Sequence, residues 1–175
     1  LSLSAPEILG EHHDVSGFCC GRPALDEWLK RQARRNQAGS FTRAGSFTVV
    51  MVVHDRGRVA GFYGLSPTAV IPAALPRSVR TGQPPNPLPC LLLGQLATGV
   101  AWAGRGVATG LLGHALARSV AGARLIGGRA LLVNALDEEA AAFWRRRGFL
   151  PSRDDPLILF RSIPDIAASL AAAGC

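Results

Sequence analysis

The sequence predicts an α/β (α+β) fold built as one domain over residues 1–175, and three observations carry that expectation. A chain of 175 residues that is 48% hydrophobic buries roughly 70% of the surface its unfolded form exposes, which is enough for one real core. Ser46 to His54 and Val59 to Ile71 are two apolar runs joined by Asp55, Arg56, Gly57 and Arg58, the pattern of a β-hairpin. Leu91 to Thr98 (LLLGQLAT) is followed, after a glycine-rich loop, by Gly106 to Ser119 with the stripe Val107, Leu111, Leu112, Ala115 and Leu116. That is a strand, a loop and a helix in succession.

The other elements follow in chain order. Pro6 to Gly10 reads as an edge strand, and a loop through Ser16, Gly17 and Gly21 comes next. Pro23 suits a first helical turn, and Leu25, Trp28, Leu29 and Ala33 recur at helical spacing with Lys30, Arg31, Arg34 and Arg35 on the wetter faces. This helix is expected to end near Asn36. Pro72 to Pro89 holds Pro72, Pro76, Pro84, Pro85, Pro87 and Pro89 and reads as a long irregular loop bearing Arg77 and Arg80. Arg129 to Ala135 is a second buried strand; Asp137 then caps a helix from Glu138 to Arg147 that Gly148 closes. Phe149, Pro151 and Pro156 lead to a last strand, Leu157 to Arg161, and an Ala-rich helix from about Asp165.

Several classes are excluded. No apolar run approaches the roughly 20 residues of a membrane-spanning helix, and no secretory signal opens the sequence, so a soluble cytoplasmic chain is expected. The four cysteines, Cys19, Cys20, Cys90 and Cys175, lack the spacing of a zinc knuckle, so no metal site is expected and free thiols are. The formal charge is +7, and Lys30 is the only lysine among 19 basic residues. Arginine's planar fork suits phosphate, which points to an anionic partner such as RNA or a phosphorylated cofactor. A GC-rich genome writes the same excess of Ala, Gly and Arg, so charge alone leaves both readings open.

The glycine cluster Gly104, Arg105, Gly106, Val107, Ala108 lies where a helix begins. Small residues let the backbone close on a diphosphate, and the free amides and positive dipole end favour the anion. A Walker loop is excluded because no lysine follows the glycines. A dinucleotide fingerprint fails too, since Gly122, Ala123 and Arg124 occupy the neighbourhood of its acidic residue.

LGQLATGVAWAGRGVATGLLGHAL resembles the coenzyme-A-binding segment of the GNAT superfamily of N-acetyltransferases, whose pattern of Gln or Arg, two residues, Gly, one residue, Gly or Ala falls on Ala103, Gly106 and Ala108. NALDEEAAAFWRRRGF, from Asn134 to Phe149, is similar to the next strand and helix of that superfamily. FCCGRPALDEWLKRQARRNQ (Phe18 to Gln37), GFYGLS (Gly61 to Ser66), the Arg- and Pro-rich loop leading to LPCLLLGQLA, and the last strand resemble one branch: the acetyltransferase toxins of bacterial type II toxin–antitoxin pairs. The resemblance spans nearly the whole chain.

It implies a mixed, mostly antiparallel sheet with helices on both faces, splayed at the Leu91 and Arg129 strands. It also implies acetyl-coenzyme A as donor and the amino group of aminoacyl-tRNA as acceptor, so that translation is blocked in a bacterial cytoplasm. A ribbon-helix-helix antitoxin and a homodimer are the implied partners. In that family the backbone at Leu96, Ala97 and Thr98 polarises the thioester carbonyl, the amides of Gly104, Arg105, Gly106, Val107, Ala108 and Thr109 hold the pyrophosphate, Asn134 lies near the pantetheine arm, and Phe143, the Phe of the family's Phe-Tyr pair, counts among the cofactor-binding residues. Basic surface that receives the RNA backbone maps to Arg31, Arg34, Arg35, Arg77 and Arg80.

Two positions depart from the family pattern. Ala103 stands where Gln or Arg is usual, which removes one diphosphate contact for which Arg105 is placed to compensate. Trp144 stands where the family has its proton-donating tyrosine, and an indole N–H bonds to sulfur without surrendering its proton. The only tyrosine is Tyr63. Either Tyr63 or a water replaces the acid, or the thiolate leaves unassisted, or activity is lost. Three functions therefore stand: the toxin, an acetyltransferase of a small amine or protein terminus, and a catalytically silent acetyl-coenzyme-A-binding module. His114 is expected at the edge of its helical stripe, Asp137, Glu138 and Glu139 as a cap and first-turn acids, and Arg145, Arg146 and Arg147 as dipole compensation.

Overall fold

The computed structural model describes residues 2–38 and 48–174, so the expected strand start at Ser46 lies outside the described residues. Strands β1 (Glu7–Ile8), β2 (Val49–Asp55), β3 (Arg58–Val70), β4 (Leu88–Thr98), β5 (Ala130–Asn134), β6 (Leu150–Pro151) and β7 (Ile158–Ser162) form one seven-stranded sheet in the order β1-β2-β3-β4-β5-β7-β6. Pairing is antiparallel for β1 with β2, β2 with β3, β5 with β7 and β6 with β7, and parallel for β4 with β5. The mixed, mostly antiparallel sheet is thus as expected. The chain forms two compact units, Leu1–Ser66 with Gly94–Ala115, and Pro67–Leu93 with Leu116–Cys175.

In the first unit the β2–β3 hairpin turns through Arg56 at φ 50° and Gly57 at φ 88°, the left-handed pair of a type I′ turn. The first helix comes in three pieces: α1 (Pro23–Glu27), a π turn over Trp28–Gln32, and α2 (Ala33–Ala38). It therefore passes Asn36, the expected end, and Ala33 donates its amide to the Trp28 carbonyl across the widened turn. Leu29 and Ala33 bury against Val50, Val52, Phe62 and Ala97. Helix α3 (Val107–Ile126) meets the other face, where a Cβ on Gly61 would stand 2.8 Å from Leu111 Cδ1. Adjacent residues Gly61 and Phe62 point to opposite faces of a strand, so helices cover both.

The second unit has its own core of Val70, Leu75, Val79, Leu88, Cys90, Ala130, Leu132 and Phe160. The proline-rich stretch is less irregular than its composition suggests. Pro72–Ala74 is a short 3₁₀ turn and β4 begins at Leu88 instead of Leu91, because Leu75, Val79 and Leu88 punctuate the prolines and bury. The Pro89 carbonyl accepts from the Arg129 amide at 2.9 Å, so the proline keeps an acceptor in the sheet although it has no N–H. Ser152 Oγ donates to the Ala74 carbonyl at 2.9 Å and fastens the loop.

Helix ends deviate where capping decides them. Helix α3 runs on to Ile126, past the expected Ser119, and stops where Gly127 (φ 85°) and Gly128 (φ 140°) turn left-handed. Helix α4 spans Glu138–Arg145, with the Asp137 carboxylate accepting from the Ala140 amide at 2.8 Å. It ends two residues before Arg147 in a Schellman arrangement: Gly148 N–H to the Arg145 carbonyl at 3.1 Å and Phe149 N–H to the Trp144 carbonyl at 3.2 Å. Strand β6 was not expected. Helix α5 (Ile163–Ala173) starts at Ile163, ahead of the expected Asp165, since the Ser162 hydroxyl accepts the Asp165 amide. No described helix is long and apolar enough to cross a membrane.

Candidate active site

After β4 the chain makes a 3₁₀ turn, Val100–Trp102, and then the loop Ala103–Gly106. Gly104 (φ 74°) and Gly106 (φ 77°) are left-handed, and a Cβ on either meets nothing within 4 Å. Backbone rotation, not lack of room, selects glycine there. The Gly110 amide donates to the Gly106 carbonyl at 2.9 Å and is the first amide with an intrahelical acceptor, so those of Val107, Ala108 and Thr109 before it have none within the helix. They stand at the positive end of a 20-residue helix, and Ala103, Gly104, Arg105, Gly106 and Thr109 are exposed. This is an anion cradle made of main chain, open to solvent. Ala103 adds no donor, and Arg105 lies over the Trp102 ring with Cζ 5.2 Å from its centroid.

Strand β4 shares only three pairs with β5, from Leu91↔Leu131 to Leu93↔Val133, yet it runs on to Thr98. In this extension, within the first unit, Ala97 is buried and Leu96 half-buried. Among the described residues, Gln95 Oε1 and Thr98 Oγ1 are buried without a hydrogen-bond partner. A buried orphaned acceptor costs about 1–3 kcal/mol, so these atoms mark where a polar ligand fits. Gln95 carries no role in the sequence expectation; its signal is a carboxamide inside an apolar strand. Tyr63 is fully buried, and its hydroxyl is hydrogen bonded to His114 Nδ1 at 2.8 Å. His114 sits half-buried at the stripe's edge.

In the second unit Asn134 ends β5, exposed, opposite Ile158. Phe143 is half-buried beneath the Arg147 guanidinium, whose Cζ is 3.5 Å from the ring centroid and which donates to the Phe143 carbonyl at 3.0 Å. Trp144 is 8% exposed. Its ring stands edge-on to Phe143 (5.0 Å, 87°) and to Phe149 (5.1 Å, 66°). The Trp144–Phe149 contact is the hydrophobic pair that accompanies a Schellman end.

The candidate RNA-binding arginines divide in the same way. In the first unit Arg31 Nε pairs with Glu27 at 2.8 Å, Arg34 donates to the carbonyls of His13 and Gly10, and Arg35 is exposed. Arg77 and Arg80 are exposed in the second. Glu7, His12, His13 and His54 form a cluster that sequence reading missed. The Gly10 and Gly57 amides donate to Nδ1 of His13 (2.8 Å) and His54 (3.0 Å), so each Nε2 carries the proton and donates to Glu7 Oε1, at 2.7 and 3.0 Å. Those nitrogens offer protons and not lone pairs, which a metal would need.

Comparison with known proteins adds to this geometry. The chain is 38% identical over 165 residues to a protein of Mycobacterium tuberculosis described as a tRNA-acetylating toxin, covering 94% of this chain and 95% of that one. It is similar to AtaT complexed with acetyl-methionyl-tRNAfMet, with TM-score 0.83 and 26% identity over 96% of this chain and 99% of that one. Against AtaTR bound with acetyl-coenzyme A the TM-score is 0.78 at 26% identity, over 95% and 97%. No protein-family profile matches.

Proposed function

Because this chain belongs to the family of the tRNA-acetylating toxins, we propose that it transfers the acetyl group of acetyl-coenzyme A to the α-amino group of aminoacyl-tRNA and so blocks translation. The observation that carries the reading is the exposed main-chain cradle from Gly104 to Thr109 at the start of α3, reached directly from a strand whose ladder with β5 has already ended.

Acetyl-coenzyme A supplies a thioester as substrate; what this chain adds is position. The amides from Gly104 to Thr109 hold the diphosphate, with Arg105 beside them. Main-chain groups at Leu96, Ala97 and Thr98 polarise the carbonyl, which is how a backbone donor stabilises developing oxyanion charge. In the second unit, Asn134 and Phe143 are the positions that the family resemblance assigns to the donor. The neutral amine attacks, a C–N bond forms, the C–S bond breaks, and the amine's proton passes to solvent. The sulfur leaves as a thiolate unassisted. A thiolate is a far weaker base than an alkoxide or an amide ion, as the cysteine pKa of about 8.5 illustrates, so the C–S bond breaks without a proton donor. Tyr63, buried and held by His114, then belongs to the packing under α3, and Trp144 lends the sulfur no proton. A cytoplasmic setting, a ribbon-helix-helix antitoxin, a second copy of the chain and a single folded domain complete the reading.

The test is direct. Purified protein, labelled acetyl-coenzyme A and charged tRNA should give label on the RNA. Label only on other amines would replace the acceptor, and binding without transfer would leave the silent module that Trp144 favours.

A further inference from the structure

Gln95 interrupts an apolar strand, and the fold gives its carboxamide oxygen nothing to bond: among the described residues, Oε1 is buried and has no hydrogen-bond partner. The first unit sets its place. A Cβ on Gly64 would lie 2.8 Å from that oxygen, 2.9 Å from Thr48 Cγ2 and 3.5 Å from Trp28 Cη2, so Oε1 lies over a bare stretch of β3 beside the indole. The backbone of Gly64 is not left-handed, and what glycine supplies there is room for the carboxamide.

Side chains alternate along a strand, which sorts the two faces of the sheet. Phe62 and Gly64 of β3 and Gln95 and Ala97 of β4 face the first helix: Trp28 stacks on Phe62 at 5.8 Å and 6°, and Ala97 joins the core of Leu29. Gly61 and Tyr63 face α3, through Leu111 and His114. The anion cradle belongs to α3. Oε1 therefore lies on the face opposite the helix that holds the donor's diphosphate, one residue before Leu96.

We propose that Gln95 Oε1 is a catalytic acceptor that takes a hydrogen bond from the attacking amine; the inference rests on the acyl transfer proposed above. A neutral primary amine has two N–H groups and one lone pair. If one N–H points at a buried oxygen beside the polarised carbonyl, the lone pair is turned toward the carbonyl carbon. As the C–N bond forms, nitrogen gains positive charge and the N–H···O bond becomes charge-assisted. That gain arises only in the transition state, so it raises the rate and not the affinity. The C–S bond then breaks, the sulfur leaves as a thiolate, and the extra proton on nitrogen passes to solvent. A carboxamide holds the N–H without taking its proton, and the same bond satisfies the orphaned oxygen.

Gln95→Met keeps the length of the side chain and removes the acceptor. Because an orphaned oxygen is lost, Tm should rise by about 2–6 °C. Acetyl-coenzyme A affinity should stay within about twofold, while kcat on charged tRNA should fall at least tenfold, roughly, with KM for the RNA changed less than about threefold. Gln95→Glu restores an acceptor at the same reach and should turn over at least about threefold faster than Gln95→Met. Gly64→Ala puts a methyl group 2.8 Å from the oxygen; it should lower kcat about tenfold in the wild-type background and less than about threefold in the Gln95→Met background, since both changes act on one bond. Undiminished kcat in Gln95→Met overturns the proposal. So does a lower Tm in that variant, which would show the carboxamide to be bonded and its role structural. Transfer by wild type that survives in Gln95→Met refutes the role of Gln95 alone, whereas a wild-type protein that puts no label on any amine refutes the transferase reading and this role with it.

Discussion

Trp144→Ala and Trp144→Phe separate packing from chemistry at the position where this chain departs from its family. Trp144 is 8% exposed and touches Phe143 and Phe149 edge-on, so truncation to alanine removes a buried ring and leaves a void. Large aromatic-to-alanine changes cost about 3–5 kcal/mol, and in a chain of this size each kcal/mol lowers Tm by about 2–4 °C. The alanine variant should melt roughly 6–20 °C lower. Phenylalanine keeps the edge-on contact with Phe149 and should cost about 1–2 kcal/mol. It also removes the indole N–H, so turnover of the Phe variant on charged tRNA tests the chemistry. Unassisted departure of the thiolate predicts kcat within about threefold of wild type and an unchanged pH profile. A loss beyond tenfold, about 1.4 kcal/mol of transition-state stabilisation, with wild-type Tm and acetyl-coenzyme A affinity, would refute it. A Tm shift below about 3 °C in the alanine variant would refute the packing argument instead.

Tyr63→Phe leaves His114 Nδ1 facing a lost partner at 2.8 Å and should destabilise by about 1–3 kcal/mol in urea titration; kcat should hold, and a fall above tenfold would make Tyr63 the acid. Asp137→Ala removes the cap on Ala140 and should cost about 1 kcal/mol, read as a lower urea midpoint with an unchanged slope. Bonds from His13 and His54 hold the Glu7 carboxyl below its ordinary value, so its contribution is complete above the unfolded pKa of about 4.3 and is lost as pH falls through the lower folded value. The stability gap between wild type and Glu7→Gln should therefore shrink between pH 6 and pH 3. Arg34→Ala should lower Tm through the lost contacts to His13 and Gly10, whereas the pair Arg77→Ala with Arg80→Ala should leave Tm unchanged and weaken tRNA binding in a filter assay.

What the sequence made legible was set by local chemistry. The hairpin, α4 and its cap, and the strand–loop–helix unit each have their cause within a few residues: a Gly at a turn, an Asp at an N-cap, apolar residues at a fixed period. Errors arose where distant residues decide. Leu88 joins β4 early because its side chain enters a core with Ala130 and Phe160, far along the chain. The π turn at Trp28–Gln32 leaves the residues in place and changes only the hydrogen-bond spacing, which composition does not report. Gln95 looked like one polar residue in an apolar strand, and its meaning came from the orphaned oxygen. The Glu7–His13–His54 cluster joins residues 47 positions apart, beyond any local pattern.

The arginine excess gains meaning from where each guanidinium goes. Arg31 is engaged with Glu27, Arg34 with two carbonyls, Arg129 with Thr81, Arg145 with Glu138, Arg147 with Phe143 and Arg161 with Asp165. These bonds are internal, and an arginine already pointing at a carbonyl or carboxylate must give up that bond to reach a phosphate. Arg58 acts on the Asp14 carboxylate, while among the described residues exposed Arg35, Arg77, Arg80 and Arg105 make no comparable demand, apart from the aromatic contact of Arg105. Salt dependence should therefore be concentrated in these side chains. Spread over all nineteen basic residues, neutralising any one would change the slope by a similar fraction, and the charge would reflect codon usage and not a site.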